Sequence, residues 1–136
     1  MLILQPHHVT LLGEALPGVD SIAVSRSASK FVVERADAGP HPVFADAPEQ
    51  AVEVVIVRTL DGPSPDAPAP GRQGALAFVA APSGADGPSR RVSATVVVRS
   101  SRVEASGRRG ASQRIELLAL SPDGAADPIS IQEFRP

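Results

Sequence analysis

The chain has 136 residues and a formal net charge of −2 at pH 7. This length favours a single domain, because an independent core usually needs on the order of 100 residues. The absence of cysteine excludes disulfides, thiol nucleophiles and cysteine metal sites, and the charge balance gives no whole-chain basic field that would attract nucleic acid. A hydrophobic fraction of 43% is sufficient for a packed core and argues against general disorder.

The first eight residues are predicted to form an N-terminal arm, residues 1–8. Pro6 ends their apolar stretch and no positive residue opens it, so no secretory signal is expected. Apolar runs elsewhere are far shorter than the roughly 20 residues that span a bilayer. We therefore expect no membrane insertion.

Apolar residues then recur with a period of two, and many of them are β-branched, which predicts strands. In chain order the predicted strands cover residues 21–26, 31–34 after an interruption at 27–29, 52–57, 91–99 and 114–119. Turn signals separate them, as at Leu16-Pro17-Gly18 and Pro122-Asp123-Gly124. No segment has the spacing and caps of a long helix.

Two further segments are predicted to be loops. The Pro-rich connection 61–72 divides the chain, and residues 36–50 form a second long loop in which Val43 and Phe44 could form a short edge strand or plug an apolar pocket. The predicted fold is therefore all-β. Residues 1–136 form one small β-sandwich or barrel of six to eight antiparallel strands with long Pro/Gly-rich loops.

No residue pattern predicts catalysis. The sequence lacks a Gly-x-Ser-x-Gly elbow and a phosphate-binding glycine loop. Asp37, His41 and Asp46 could meet on one loop, but their spacing matches no known metal site. The carboxylate pairs Asp37 with Asp46 and Asp123 with Asp127 lie in turn sequences, where solvated charge is the ordinary state. We expect no enzyme, no metal and no cofactor.

Basic pairs occur at Arg90-Arg91, at Arg99 with Arg102 and at Arg108-Arg109. Binding of single-stranded nucleic acid needs aromatic side chains beside the basic groove, and the four phenylalanines are not interleaved with these arginines. The pairs are therefore interpreted as solvated surface or as contacts between subunits.

The segments 54–57 and 96–98 carry large apolar side chains on both strand faces. A small β domain needs one apolar face per strand, so the second face must be covered by something else. A chain with so few aromatic residues has little material for this. The pattern predicts a self-assembling protein.

The N-terminal half resembles the tail tube proteins of tailed phages, those of contractile tails most closely. The resemblance lies in strand order and turn placement over about residues 9–60, and its residues are Val9-Thr10-Leu11, Gly13, Gly18, Asp20, Ile22 to Arg26, Val32-Val33, Asp37, Gly39 and Val52 to Thr59. Tail tube proteins usually carry a helix outside the barrel, whereas the corresponding mid-chain stretch of this sequence is rich in proline.

The resemblance implies a subunit that forms hexameric rings around an inner β-barrel, and rings that stack into a tube. DNA would pass through the lumen as non-specific cargo, and the sheath, tape measure and baseplate proteins would be partners. The protein would be made in the cytoplasm of a host bacterium and would reside in the tail of the virion or of a tail-like particle.

On this interpretation, small or polar residues on strands are lumen-facing candidates, namely Ser21, Ala23, Ser25, Ser93, Thr95 and Arg99. Because a basic lumen would retain DNA, Arg99 needs a carboxylate partner or faces elsewhere. Candidates for ring stacking or subunit contact are Pro42, Val43, Phe44, Val55, Val57 and Val97. Equally, Val43 and Phe44 could cap the core of their own subunit.

Two other classes of protein stay open at this point. The first is another small tail component, a terminator or baseplate ring, which would form one closed ring without stacking. The second is a monomeric β-sandwich binding module, which would present an exposed aromatic platform.

Overall fold

A computed structural model describes residues 1–60, 68–80, 89–107 and 110–134. Within these residues the chain forms strands and no helix. The strands are β1 (Leu2–Leu4), β2 (His7–Leu11), β3 (Glu14–Ala15), β4 (Val19–Arg35), β5 (Pro42–Leu60), β6 (Gln73–Ala80), β7 (Ser89–Ser106), β8 (Gly110–Leu120) and β9 (Ser130–Phe134).

All the described strands belong to one antiparallel sheet of nine strands. Its order is β1-β4-β5-β8-β7-β6-β2-β3, and β9 pairs with β7 beyond the end of β8. Although β1 and β2 lie towards opposite ends of this order, only Gln5 and Pro6 separate them in the sequence. Three peptide steps span at most roughly 11 Å. The sheet therefore curls until its two ends approach each other, but it does not close into a barrel.

The inner face of the curled sheet holds the hydrophobic core. The register sets Ile22, Ile56 and Ile115 side by side across three strands, and Val54 beside Leu117 in the next row. All five side chains are buried. The other buried members of the core are Ile3, Val9, Leu11, Val24, Val52, Leu76, Phe78, Val92, Val96, Val98, Ala119 and Ile129.

Gly18 permits the tight entry into β4. Its φ is +73°, and a Cβ atom there would lie 2.6 Å from the carbonyl oxygen of Thr59. The two segments are joined at this point, since the Thr59 N–H donates a 2.9 Å hydrogen bond to the Gly18 carbonyl. A side chain at residue 18 would therefore be strained by its backbone conformation and by contact.

The hairpin formed by β4 and β5 extends well beyond the rest of the sheet. β1 pairs with β4 only at Leu2–Leu4, and β8 pairs with β5 only from Val52 onward. Residues 27–51 thus form a two-stranded segment, here called the ribbon, whose outer edges pair with no described strand. Nine residues of a strand span about 30 Å, which is the length of the ribbon.

Several predictions about the fold need correction. The prediction of an all-β fold with antiparallel strands is confirmed, but the described strands number nine instead of six to eight, and the sheet is not a closed barrel. The interruption at 27–29 is absent, because β4 runs continuously from Val19 to Arg35. Most of the loop predicted at 36–50 is strand, since β5 begins at Pro42.

The structure places the other predicted segments as follows. Residues 1–8, predicted as an arm, include β1 and the start of β2, and Ile3 is buried in the core. Of the predicted connection 61–72, residues 61–67 lie outside the described residues, and residues 68–72 contain a turn before β6. The pair Arg108-Arg109 also lies outside the described residues.

Candidate assembly surfaces

The ribbon carries large apolar side chains that the chain itself does not cover. Phe31 is 62% exposed, Val43 69% and Phe44 51%. Neither Val43 nor Phe44 packs on the core, so the alternative that they cap their own subunit is wrong. Pro42 is also exposed, opposite Arg35 in the register.

Apolar groups lie on both faces of the ribbon. Val32 pairs with Asp46 and Glu34 with Phe44, so these four side chains share one face. By strand alternation, Phe31 lies on the opposite face. A two-stranded ribbon with no cover is marginally stable by itself, and exposed apolar clusters of this kind commonly mark contact surfaces.

An ion pair braces the base of the ribbon. The Arg26 guanidinium donates to Asp127 at 3.1 Å, and Asp127 also accepts a 2.9 Å hydrogen bond from the Ile129 N–H. The Ile129 N–H and then the Arg26 charge lower the pKa of Asp127. Loop 121–129 is itself ordered by Asp123, whose carboxylate accepts hydrogen bonds from backbone N–H groups and so has a lowered pKa.

The outer face of the sheet contains both the lumen-facing candidates and some of the contact candidates, which the sequence analysis had assigned to different surfaces. Strand register places the lumen-facing candidates Ser21, Ala23, Ser25, Ser93, Thr95 and Arg99 on the same face as the contact candidates Val55, Val57 and Val97. The three valines are half-buried. Strand alternation therefore does not assign the two groups to different surfaces.

Arg99 lies in a β-bulge, at the register shift between Val98 and Ser100. It forms an ion pair with Glu53 on the outer face. Next to it, the Ser100 hydroxyl and then Arg114 donate hydrogen bonds to Glu116 and lower the pKa of that carboxyl. Arg99 thus has a carboxylate partner, which is one of the two alternatives stated for this residue.

The β1 edge is an apolar surface that the sequence analysis missed. Leu2 is 64% exposed and Leu4 71%, while Ile3 between them is buried. Leu2 pairs with Ala23, which in turn pairs with Val55, so the patch continues onto the outer face. In the sequence, the run of Leu2, Ile3 and Leu4 could have indicated a short strand with an apolar side chain on each face. Natural edge strands usually avoid such exposed aliphatic residues.

A polar cluster closes one end of the core. Gln113 is completely buried and Arg58 is 8% exposed. The Arg58 Nε–H donates a 2.7 Å hydrogen bond to the Gln113 carbonyl oxygen, and the Gln113 amide donates to the Ser101 hydroxyl at 3.2 Å. The cluster satisfies buried polar groups and was also missed, because alternating strands give no signal for a buried amide.

A groove of about 720 Å³ lies beside β7, where β8 ends and β9 begins. Its walls combine small residues of the outer face with loop 121–129, and its lining includes Ala75, Ala77, Arg91, Thr95 and Leu120. We call it the β7 groove. Arg91 is exposed and forms no ion pair within the described part of the chain.

The candidate residues for catalysis or metal binding lie in two separate regions, the ribbon and loop 121–129. Asp37, His41 and Asp46 are exposed on the ribbon, and across the described ranges no three His, Asp or Glu side chains are grouped to hold a metal ion. Asp123 and Asp127 bind backbone N–H groups. No helix in the described part of the chain is long and apolar enough to cross a membrane.

Comparison with known proteins adds no family to these observations. The chain matches no family model, and no curated protein matches it.

Proposed function

We propose that this protein is a self-assembling structural subunit, and specifically the subunit of a phage-type tail tube built from stacked hexameric rings. The observation that carries the proposal is the ribbon. It extends about 30 Å from the sheet with three large side chains more than half exposed. In an assembly, such a segment can reach a neighbouring subunit and bury its exposed apolar side chains there.

Two other surfaces support assembly. The apolar patch at the β1 edge and the half-buried valines of the outer face offer aliphatic area, and the outer edge of β1 pairs with no described strand. An edge of this kind is stabilised when another chain covers or extends it. One copy would thus offer different surfaces to different neighbours, which is the condition for closed rings and for stacking.

The tail tube form of the proposal rests on the resemblance over residues 9–60 and on the composition of the outer face. Small and polar candidates there, including Ser21, Ser25 and Thr95, would suit a lumen that passes DNA without holding it. Arg99, which is neutralised by Glu53, would not act as an unpaired cation. Sheath, tape measure and baseplate proteins would be its partners in the tail.

Native mass spectrometry and negative-stain electron microscopy of the purified protein test the proposal. It predicts rings of six copies that stack into filaments as concentration rises. A single closed ring that never stacks would favour a terminator or baseplate component. A monomer at all concentrations would contradict self-assembly. A binding module has weak support, because Phe31 and Phe44 lie on opposite faces and form no joint platform.

A further inference from the structure

We infer that the β7 groove is the receptor for the ribbon tip of a second copy, with Glu34 of one copy paired to Arg91 of the next. This inference rests on the proposed self-assembly and adds the surface that the ribbon meets. It follows from the arrangement of charge around Phe44 and around the groove.

The ribbon face that carries Phe44 has a carboxylate without a partner. Glu34 stands directly opposite Phe44 in the register and forms no ion pair in the described ranges. Asp46, on the same face, already accepts a 2.9 Å hydrogen bond from the Ala47 N–H. Phe44 and Val32 therefore lie beside two carboxylates, Glu34 and Asp46, that form no ion pair in the described ranges.

The β7 groove has the complementary arrangement. Arg91 is its cation, and the carboxylate in its wall, Asp127, is held by Arg26 and by the Ile129 N–H. The lining beside β7 includes the small side chains Ala75, Ala77 and Ser93, and the groove volume of about 720 Å³ can accept an aromatic ring. A phenylalanine flanked by a carboxylate complements the charge of Arg91 and can pack against the small side chains of this groove.

The other exposed apolar surface fits the ribbon less well. On the register row that contains Leu4, the nearest arginine is Arg114, which is paired with Glu116. The Met1 ammonium at the β1 edge already donates a 2.6 Å hydrogen bond to the Val24 carbonyl, whereas Arg91 forms no ion pair in the described ranges. The groove is therefore the receptor that the charges select.

A charge-swap experiment tests the assignment by sedimentation velocity. Arg91→Glu alone and Glu34→Arg alone should each weaken assembly at least about tenfold, because attraction becomes repulsion. The double variant should recover to within about threefold of the wild type. The control is Arg90→Glu, which makes the same charge change one residue away on the opposite strand face and outside the groove lining.

All these side chains are exposed, so melting temperatures should stay close to that of the wild type. Thr95→Arg, also exposed, gives a second variant that fills the groove and should also weaken assembly. If the wild type assembles and Arg91→Glu behaves like Arg90→Glu, the groove assignment is wrong while self-assembly stands. If the double variant is not rescued, the pairing with Glu34 is wrong. A monomeric wild type would overturn both proposals.

Discussion

Truncation of Phe44 separates a contact surface from a core residue. Phe44 is 51% exposed in the single chain, and a fully covered aromatic side chain buries about 150–250 Å². A partner that covers the exposed half therefore removes about 100 Å² from water. At roughly 25 cal/mol per Å² this is about 2.5 kcal/mol for each contact, equivalent to a loss of about 60-fold in the association constant of Phe44→Ala.

The same substitution at Phe78 is the matched control. Phe78 is 1% exposed, so Phe78→Ala should cost about 3–5 kcal/mol of folding stability. Phe44→Ala should cost less than about 1 kcal/mol, as substitutions at exposed positions do. Thermal unfolding measures the stability of both variants, and sedimentation velocity measures the assembly of Phe44→Ala. The reasoning is refuted if Phe44→Ala unfolds as readily as Phe78→Ala, or if it assembles as the wild type does.

Three further variants probe the fold. Gly18→Ala should destabilise by about 2–4 kcal/mol, from left-handed strain and overpacking against Thr59, whereas Gly39→Ala, with open space around it, should change little in the same urea titration. Asp127→Asn should be less stable than the wild type at pH 7. Since folding lowers the pKa of Asp127, that deficit should shrink as the pH falls below about 4, the usual pKa of an aspartate, and should be lost only below the lowered pKa of the folded state. An undiminished deficit at pH 3 would contradict the brace. Gln113→Leu should cost about 2 kcal/mol of folding stability, because it leaves the buried Arg58 side chain without its hydrogen-bond acceptor. Adding Arg58→Met to Gln113→Leu should recover most of this loss. An additive loss of stability in the double variant would argue against the interaction between Arg58 and Gln113.

The sequence predicted the core strands well, because their pattern comes from burial on one face. Val54 and Ile56 alternate with half-buried residues, as do Ile115 and Leu117. Strands without a buried face show no alternation of apolar and polar residues. The ribbon strands are almost entirely exposed, so the sequence pattern predicts a loop at residues 42–50, which contain Pro42 and Pro48, although these residues pair with β4.

The candidate surfaces were harder to predict, for a different reason. Alternation separates two faces of a strand but does not say what lies against the outer one, so Thr95 and Val97 could be given different roles despite sharing a face. The buried pair of Arg58 and Gln113 depends on the register between β5 and β8. That register is set by contacts distant in sequence, which no local pattern contains.

Removal of the ribbon tests the central claim most directly. Ser27 and Ala51 lie directly opposite each other, so replacing residues 28–50 by Asn-Gly joins them with a two-residue hairpin turn and leaves the core sheet intact. Sedimentation velocity over a range of concentrations should show the wild type assembling and the shortened chain remaining monomeric, with similar unfolding curves for the core. Assembly of the shortened chain to the same extent as the wild type would contradict the account.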